Sequence, residues 1–169
     1  DGGLDGWELE DEGVFAEYRP RDWEWTAAPP AGADGGAAFA ANPPDLGDCR
    51  AGSDDQSAVL RLTSPPIALP AAGLAPLLVV RHYVATYTGR DGGNLKLSVD
   101  GGPFALVPAA AFRFNAYNGV IDPADGGNPT PLAGEPAFTG FNEGFFEGSW
   151  GTSQIDLAAL ATPGSTVRL

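Results

Sequence analysis

Short apolar runs separated by glycine and proline characterise this chain, and their alternation predicts β-strands. Residues 57–63 and 94–99 alternate apolar and polar side chains, as strands with one buried face do. Residues 77–88 are nearly continuously apolar over their first half, which predicts a central strand buried on both faces. The dominant period of two therefore indicates β-structure.

Turn signals join these strands. Asp100-Gly101-Gly102 lies between residues 94–99 and 104–107, and Asp-Gly readily adopts the positive φ angles of a tight turn, which predicts a hairpin. No alternation of strand and helix is visible, so we expect an all-β protein, an antiparallel β-sandwich of the jelly-roll type. Shorter strands are predicted at 13–18, 37–40, 153–157 and 166–169, with one helical turn at 158–161.

Length and composition fit one globular domain over residues 1–169. The chain is 43% hydrophobic, which is enough to build a core, although 24 Gly and 16 Pro disfavour helices. No apolar run approaches the roughly 18 residues that a membrane span needs. Because the sequence stops within an apolar strand at Leu169, we expect that the final strand of the sandwich is missing.

Charge excludes one class of partner. The chain has 22 acidic and 9 basic residues and a net charge of −13. A nucleic acid needs a basic surface and would be repelled by this field, so nucleic-acid binding is not expected.

Catalytic groups are scarce. His82 is the only histidine and Cys49 the only cysteine, so histidine-centred zinc sites, Ser/His/Asp triads and Cys/His dyads cannot form in the usual way. His82 lies in an apolar strand, and we interpret it as a hydrogen-bonded sheet residue. Glu143 and Glu147 could serve as the acid and base of a glycosidase, but an ordinary loop with solvated carboxylates explains them better. We predict no catalytic residues.

Two binding chemistries remain open. Acidic, glycine-rich turns at residues 53–56, 90–94 and 122–128 could supply oxygen ligands for calcium, or could be ordinary Asp-Gly turns. Tyr18, Trp23 and Trp25 could form a platform on which a sugar stacks, although core packing explains them equally well.

Several segments together resemble a known class of domain. The chain is similar to the jelly-roll accessory domains appended to large secreted bacterial proteins, including fungalysin-type and immune-inhibitor-A-type metallopeptidases, and loosely to MAM-like domains. The segments that carry the resemblance are Pro20-Arg21-Asp22-Trp23-Glu24-Trp25, Asp55-Gln56-Ser57, Leu60-Arg61-Leu62-Thr63-Ser64-Pro65, His82-Tyr83-Val84-Ala85-Thr86, Asp91-Gly92-Gly93-Asn94-Leu95-Lys96-Leu97-Ser98-Val99-Asp100-Gly101-Gly102, Gly148-Ser149-Trp150-Gly151 and Ile155-Asp156-Leu157.

This resemblance implies a secreted, extracellular module with a structural calcium ion, held by Asp54, Asp55, Asp91 and Asn94. It also implies that Cys49 has lost a disulfide partner along with a missing C-terminal strand. The peptidase chemistry of the parent proteins is not implied, because no His-Glu-x-x-His motif is present.

We therefore expect a non-catalytic binding or adhesion module of a larger secreted protein, with Tyr18, Trp23 and Trp25 as candidate contacts to a glycan, cell-surface or protein ligand. One alternative is a structural subunit of an extracellular assembly or filament, a homo-oligomer formed through an open sheet edge that a neighbour's strand completes. A less favoured alternative is a two-carboxylate glycoside hydrolase. Abundant Ala, Gly, Pro and Arg with a single Lys suggest a bacterial source.

Overall fold

The protein is all-β, as predicted. The structure, a computed structural model, describes residues 3–40, 56–71, 74–122, 130–141 and 148–169. Every strand pair in these ranges is antiparallel, and the helical segments there are two 3-10 turns, Ala109–Ala111 and Leu157–Ala159. No helix within these ranges has the length and apolar character needed to cross a membrane.

The described residues form thirteen strands, numbered here in chain order. They are β1 (Glu8–Gly13), β2 (Glu24–Thr26), β3 (Ala37–Phe39), β4 (Ala58–Thr63), β5 (Ile67–Ala68), β6 (Leu77–Val84), β7 (Lys96–Val99), β8 (Ala105–Leu106), β9 (Phe112–Phe114), β10 (Gly119–Val120), β11 (Pro136–Ala137), β12 (Ser149–Asp156) and β13 (Thr166–Arg168).

The chain divides into two compact units. Unit 1 comprises Asp1–Pro65 with Pro123–Ala133, and unit 2 comprises Pro66–Asp122 with Gly134–Leu169. The expectation of a single domain over residues 1–169 stays a prediction.

Unit 1 contains two small antiparallel pairs, β1 with β4 and β2 with β3. An ion pair joins β1 to β4, with a guanidinium nitrogen of Arg61 2.5 Å from a carboxylate oxygen of Glu12. Gln56 is 6% exposed, and it ties residues 17–19 to the start of β4. Its Nε2 donates to the Glu17 carbonyl at 3.1 Å and its Oε1 accepts from the Arg19 amide at 2.9 Å.

Unit 2 is a two-layer sandwich around one core. One sheet has the strand order β6-β12-β9 and the other β5-β13-β7-β8. Both sheets contribute to the same core, since Ile155 of β12, Leu97 of β7 and Val167 of β13 are buried together. Burial of such side chains contributes roughly 1.5–3 kcal/mol each, so this core is the main source of stability in unit 2. The jelly-roll connectivity stays a prediction.

The predicted hairpin between β7 and β8 is present. Asp100 and Gly101 have φ angles of 52° and 76°, and the Gly102 amide donates to the Val99 carbonyl at 2.9 Å. The Asp100 carboxylate also fastens β13, because it accepts from the Thr166 amide at 2.8 Å and from the Ser165 hydroxyl at 3.0 Å.

Two strand predictions were wrong in an informative way. β6 is an outermost strand of its sheet and is not buried on both faces, since Leu77 and Val79 are 40% and 56% exposed. Of the strand predicted at residues 13–18, only Gly13 is in a strand, the end of β1, and residues 14–18 form a turn in which the Tyr18 amide donates to the Phe15 carbonyl at 3.1 Å. The first strand instead lies earlier, in the acidic segment of β1, where pairing with β4 outweighs low strand propensity.

Candidate functional site

The surface that best fits a binding role is the side of the β6-β12-β9 sheet that faces away from the core, called here the outer face. On β12 the core side holds Ser153 and Ile155, which are both 0% exposed. The alternate side chains of the strand, Trp150, Thr152, Gln154 and Asp156, lie on the outer face.

Strand register arranges the outer face in rows. Leu77 of β6 lies opposite Asp156, Val79 opposite Gln154, Arg81 opposite Thr152 and Tyr83 opposite Trp150. Directly opposed residues on one face have Cβ atoms roughly 4.5–5.5 Å apart, so each row is in side-chain contact range. The outer face therefore consists of a polar column, Thr152–Gln154–Asp156, with apolar side chains beside it and an aromatic pair at one end.

The aromatic pair is held in a fixed arrangement. The rings of Tyr83 and Trp150 meet edge to face, with centroids 5.4 Å apart. The Arg81 guanidinium lies 5.0 Å from the centroid of the Trp150 ring. Edge-to-face and cation-π contacts of this kind each stabilise by roughly 0.5–1.5 kcal/mol, so they restrict the relative orientation of the two rings.

A register irregularity brings two further side chains to this surface. Gln154 pairs with Phe114 while Ile155 pairs with Phe112, so Arg113 is the extra residue of a bulge. Phe112 packs against the core, whereas Phe114 is 61% exposed beside Gln154. Arg113 reaches Asp156 at 2.6 Å. The hydrogen bond from Arg113 lowers the pKa of the Asp156 carboxyl, which stays charged at neutral pH.

The opposite side of the same sheet holds the single histidine. His82 Nε2 lies 2.9 Å from Ser153 Oγ, and that hydroxyl donates to the Asn115 carbonyl at 2.7 Å. Because the hydroxyl proton is given to Asn115, His82 Nε2 must be the donor to Ser153. The buried Nδ1 atom is then the unprotonated nitrogen, and it has no hydrogen-bond partner among the described residues.

This Ser–His pair is arranged for structure and not for nucleophilic catalysis. A catalytic serine must present an accessible hydroxyl whose proton the imidazole accepts. Ser153 is instead 0% exposed and donates its proton to a main-chain carbonyl. The His82 ring packs on Phe138, with centroids 4.2 Å apart. Burial lowers the pKa of His82, so the ring is neutral at pH 7.

The predicted aromatic platform occupies unit 1. Tyr18 and Trp23 are half-buried, and Trp25 in β2 is 41% exposed. Arg21 lies 5.5 Å from the centroid of the Tyr18 ring, and burial, followed by the nearby Asp11, raises the pKa of Tyr18. None of the three aromatic rings stacks on another in the described part of the chain. They stay predicted ligand contacts.

Two of the predicted calcium ligands are described. The Asp91 main-chain carbonyl accepts from the hydroxyls of Thr139 at 2.6 Å and Thr86 at 3.0 Å. The Asn94 side chain donates to Glu135 at 2.7 Å, and the same carboxylate binds Lys96 at 2.9 Å. Lys96 already supplies the cation beside Glu135, so a metal ion at Asn94 would compete with it.

No group of three or more His, Cys, Asp or Glu residues within the described ranges is placed to hold a metal ion. The remaining predicted calcium ligands, Asp54 and Asp55, lie outside the described residues, as do Cys49, Glu143 and Glu147. Calcium binding therefore stays a prediction, and unfolding temperatures measured in excess calcium and in EDTA would test it.

No family model, curated protein or solved structure matches this chain. The resemblance to jelly-roll accessory domains accordingly stays a prediction, and the functional argument depends on the geometry of the site.

The outer face was not predicted from the sequence. The alternation of Trp150, Thr152, Gln154 and Asp156 was a usable signal, since every second residue of a strand shares a face. The residues that β6 contributes to the outer face lie in a nearly continuous apolar run, so no alternation marks them. No local pattern marks the bulge that exposes Phe114.

Proposed function

We propose that this chain is a non-catalytic binding module that holds a neutral glycan on the outer face of the β6-β12-β9 sheet. The observation that carries the proposal is the aromatic pair Tyr83–Trp150, pre-ordered by Arg81, in one surface with a polar column and the exposed Phe114.

The chemistry of a sugar suits this surface. A pyranose ring has apolar C–H faces that stack on aromatic rings, and it has hydroxyl groups around its edge. Gln154 can donate and accept hydrogen bonds at the same time, as can the Thr152 hydroxyl, and Arg81 donates. The apolar side chains on either side of the polar column would cover the ring faces.

Charge favours a neutral ligand. The chain carries a net charge of −13, which repels a polyanionic polysaccharide at long range. On the outer face the charge of Arg113 is already balanced by Asp156. A neutral glycan avoids the long-range repulsion and still uses the hydrogen-bonding groups of the column.

A secreted, bacterial accessory role belongs to the same proposal, and it is supported by the resemblance to jelly-roll accessory domains. A binding module of this kind would hold a larger protein on a polysaccharide or cell surface. Ser153 and His82, arranged as described above, do not supply a nucleophile.

Titration calorimetry against a panel of neutral oligosaccharides tests the proposal. Phe114→Ala and Gln154→Ala remove exposed or half-exposed contacts, and each should weaken binding about tenfold or more while the fold is kept. Trp25→Ala is the matched control, since it removes an exposed aromatic ring from unit 1, and it should leave the affinity unchanged.

Two results would contradict this assignment. Binding that survives the outer-face substitutions but is lost with Trp25→Ala would move the ligand to the platform of Tyr18, Trp23 and Trp25. Release of shorter sugars during incubation would show turnover, and would return Glu143 and Glu147 to consideration.

A further inference from the structure

The second edge of β6 is the most unusual feature outside the proposed site. β6 pairs with β12 on one side and is outermost in its sheet. The Leu157 amide donates to the Pro76 carbonyl at 3.0 Å. Because main-chain groups of a strand point alternately to its two sides, the even-numbered residues of β6 direct theirs toward β12. Leu77, Val79 and Tyr83 therefore direct theirs outward, and no described residue bonds those groups.

This edge has little of the protection that proteins usually give an outermost strand, since Arg81 is the one charged side chain in β6. Charged side chains, proline or a bulge normally keep such an edge from pairing with another chain. β6 has eight residues, contains no proline, and exposes Leu77 by 40% and Val79 by 56%. Residues 56–90 contain no Asp or Glu, although the chain has 22 acidic residues. The sequence of β6 and its flanking residues therefore presents no carboxylate to a second copy of this acidic chain.

We infer that β6 pairs antiparallel with β6 of a second copy of this chain, with a two-fold axis at Val80. In this register Leu77 lies opposite the second copy's Tyr83, and Val79 lies opposite the second copy's Arg81. Each pair joins two odd-numbered or two even-numbered residues. The outer face of one copy therefore continues into the outer face of the other, and the two core sides are joined in the same way. The two three-stranded sheets become one sheet of six strands with closed two-fold symmetry.

The neighbouring symmetric register is disfavoured by charge. It would place Arg81 directly opposite Arg81 of the second copy, and like charges in that position are destabilising. With the axis at Val80 each Arg81 faces a valine, and both ends of the strand gain an exchange of main-chain hydrogen bonds between Leu77 and Tyr83. This inference does not depend on glycan binding.

Sedimentation velocity over a range of concentrations tests the pairing, with two substitutions at one position. Val79→Lys places a positive charge opposite Arg81 in both symmetry-related pairs and should weaken the dimer about tenfold or more. Val79→Glu makes the same pairs attractive and should keep the dimer within a few-fold of the parent protein. Salt should strengthen the parent dimer, because it screens repulsion between two chains of charge −13.

Val79→Pro provides a separate test, because it removes an outward-directed N–H while an edge position tolerates proline. It should give a folded monomer, with the fold checked by near-ultraviolet circular dichroism. A parent protein that is monomeric up to its solubility limit would overturn the proposal. Equal effects of Val79→Lys and Val79→Glu would overturn the register, and open-ended oligomers would overturn the closed dimer.

Discussion

At the scale of single residues, His82 gives the protein a sensitivity to mild acid. Burial lowers its pKa in the folded state below the ordinary value of 6.5, so the unfolded chain takes up this proton more readily. Protonation would also place a donor on Nδ1, which has no acceptor among the described residues. The contribution of neutral His82 to stability is therefore complete above about pH 6.5 and is lost progressively as the pH falls below that value.

Unfolding temperatures measured from pH 5 to pH 8 test this prediction. Because His82 is the only histidine, its imidazole proton signals can be followed directly by NMR, and they should give a pKa below 6.5. His82→Gln keeps a neutral side chain and should reduce the loss of stability between pH 6.5 and pH 5. An unchanged pH profile in this variant would contradict the assignment.

Asp100 is the second residue with a specific expected effect. It holds a φ angle of 52° and accepts two hydrogen bonds that fasten β13. Asp100→Ala removes the acceptor of both hydrogen bonds, and alanine adopts a positive φ angle less readily than aspartate. The substitution should therefore lower the free energy of unfolding by about 2–4 kcal/mol. Asp100→Asn keeps the turn conformation and one carbonyl acceptor, and should cost less than half as much in urea denaturation.

At the scale of elements, β12 is organised around a close approach at Gly151. A Cβ atom there would lie 2.7 Å from His82 Cε1 and 3.0 Å from Asn115 Nδ2. Gly151→Ala should therefore destabilise the protein by about 1–3 kcal/mol through overpacking. Gly93→Ala is a suitable control, because nothing lies within 4 Å of its added Cβ. Combining Gly151→Ala with His82→Ala should recover part of the loss, and strict additivity would contradict a direct clash.

Strands and turns were predictable where the information is local. Alternation located β4 and β7, the strand predicted at 153–157 covers the second half of β12, and the Asp100-Gly101 pair located the hairpin, because these signals act on neighbouring residues. The exposure of β6 was not predictable, since an apolar strand is buried on one or both faces according to which neighbours its sheet acquires. Tyr83, Phe114 and Trp150 are far apart in sequence, and pairing of β12 with β6 and β9 brings them to one surface.

At the scale of the whole molecule, the two units should differ in local stability. In unit 2 the core side of β12 is completely buried at Ser153 and Ile155, whereas β2 and β3 of unit 1 are three-residue strands with mostly exposed or half-exposed side chains. We expect amide hydrogen exchange to be slowest in residues 152–155 and fast throughout the β2–β3 pair. Equal protection in both regions, measured by mass spectrometry, would show that the chain opens as one cooperative body.

The ion pair between Lys96 and Glu135 has a practical consequence for measuring motion. Lys96 is the only lysine in the sequence, and its ammonium group is 2.9 Å from a carboxylate that also holds Asn94. An amine-reactive reagent thus has a single side chain to acylate, and it needs that nitrogen deprotonated and released from Glu135. The rate at which the label accumulates on Lys96 would then report how often the contact between β7 and the segment before β11 opens in an otherwise native molecule.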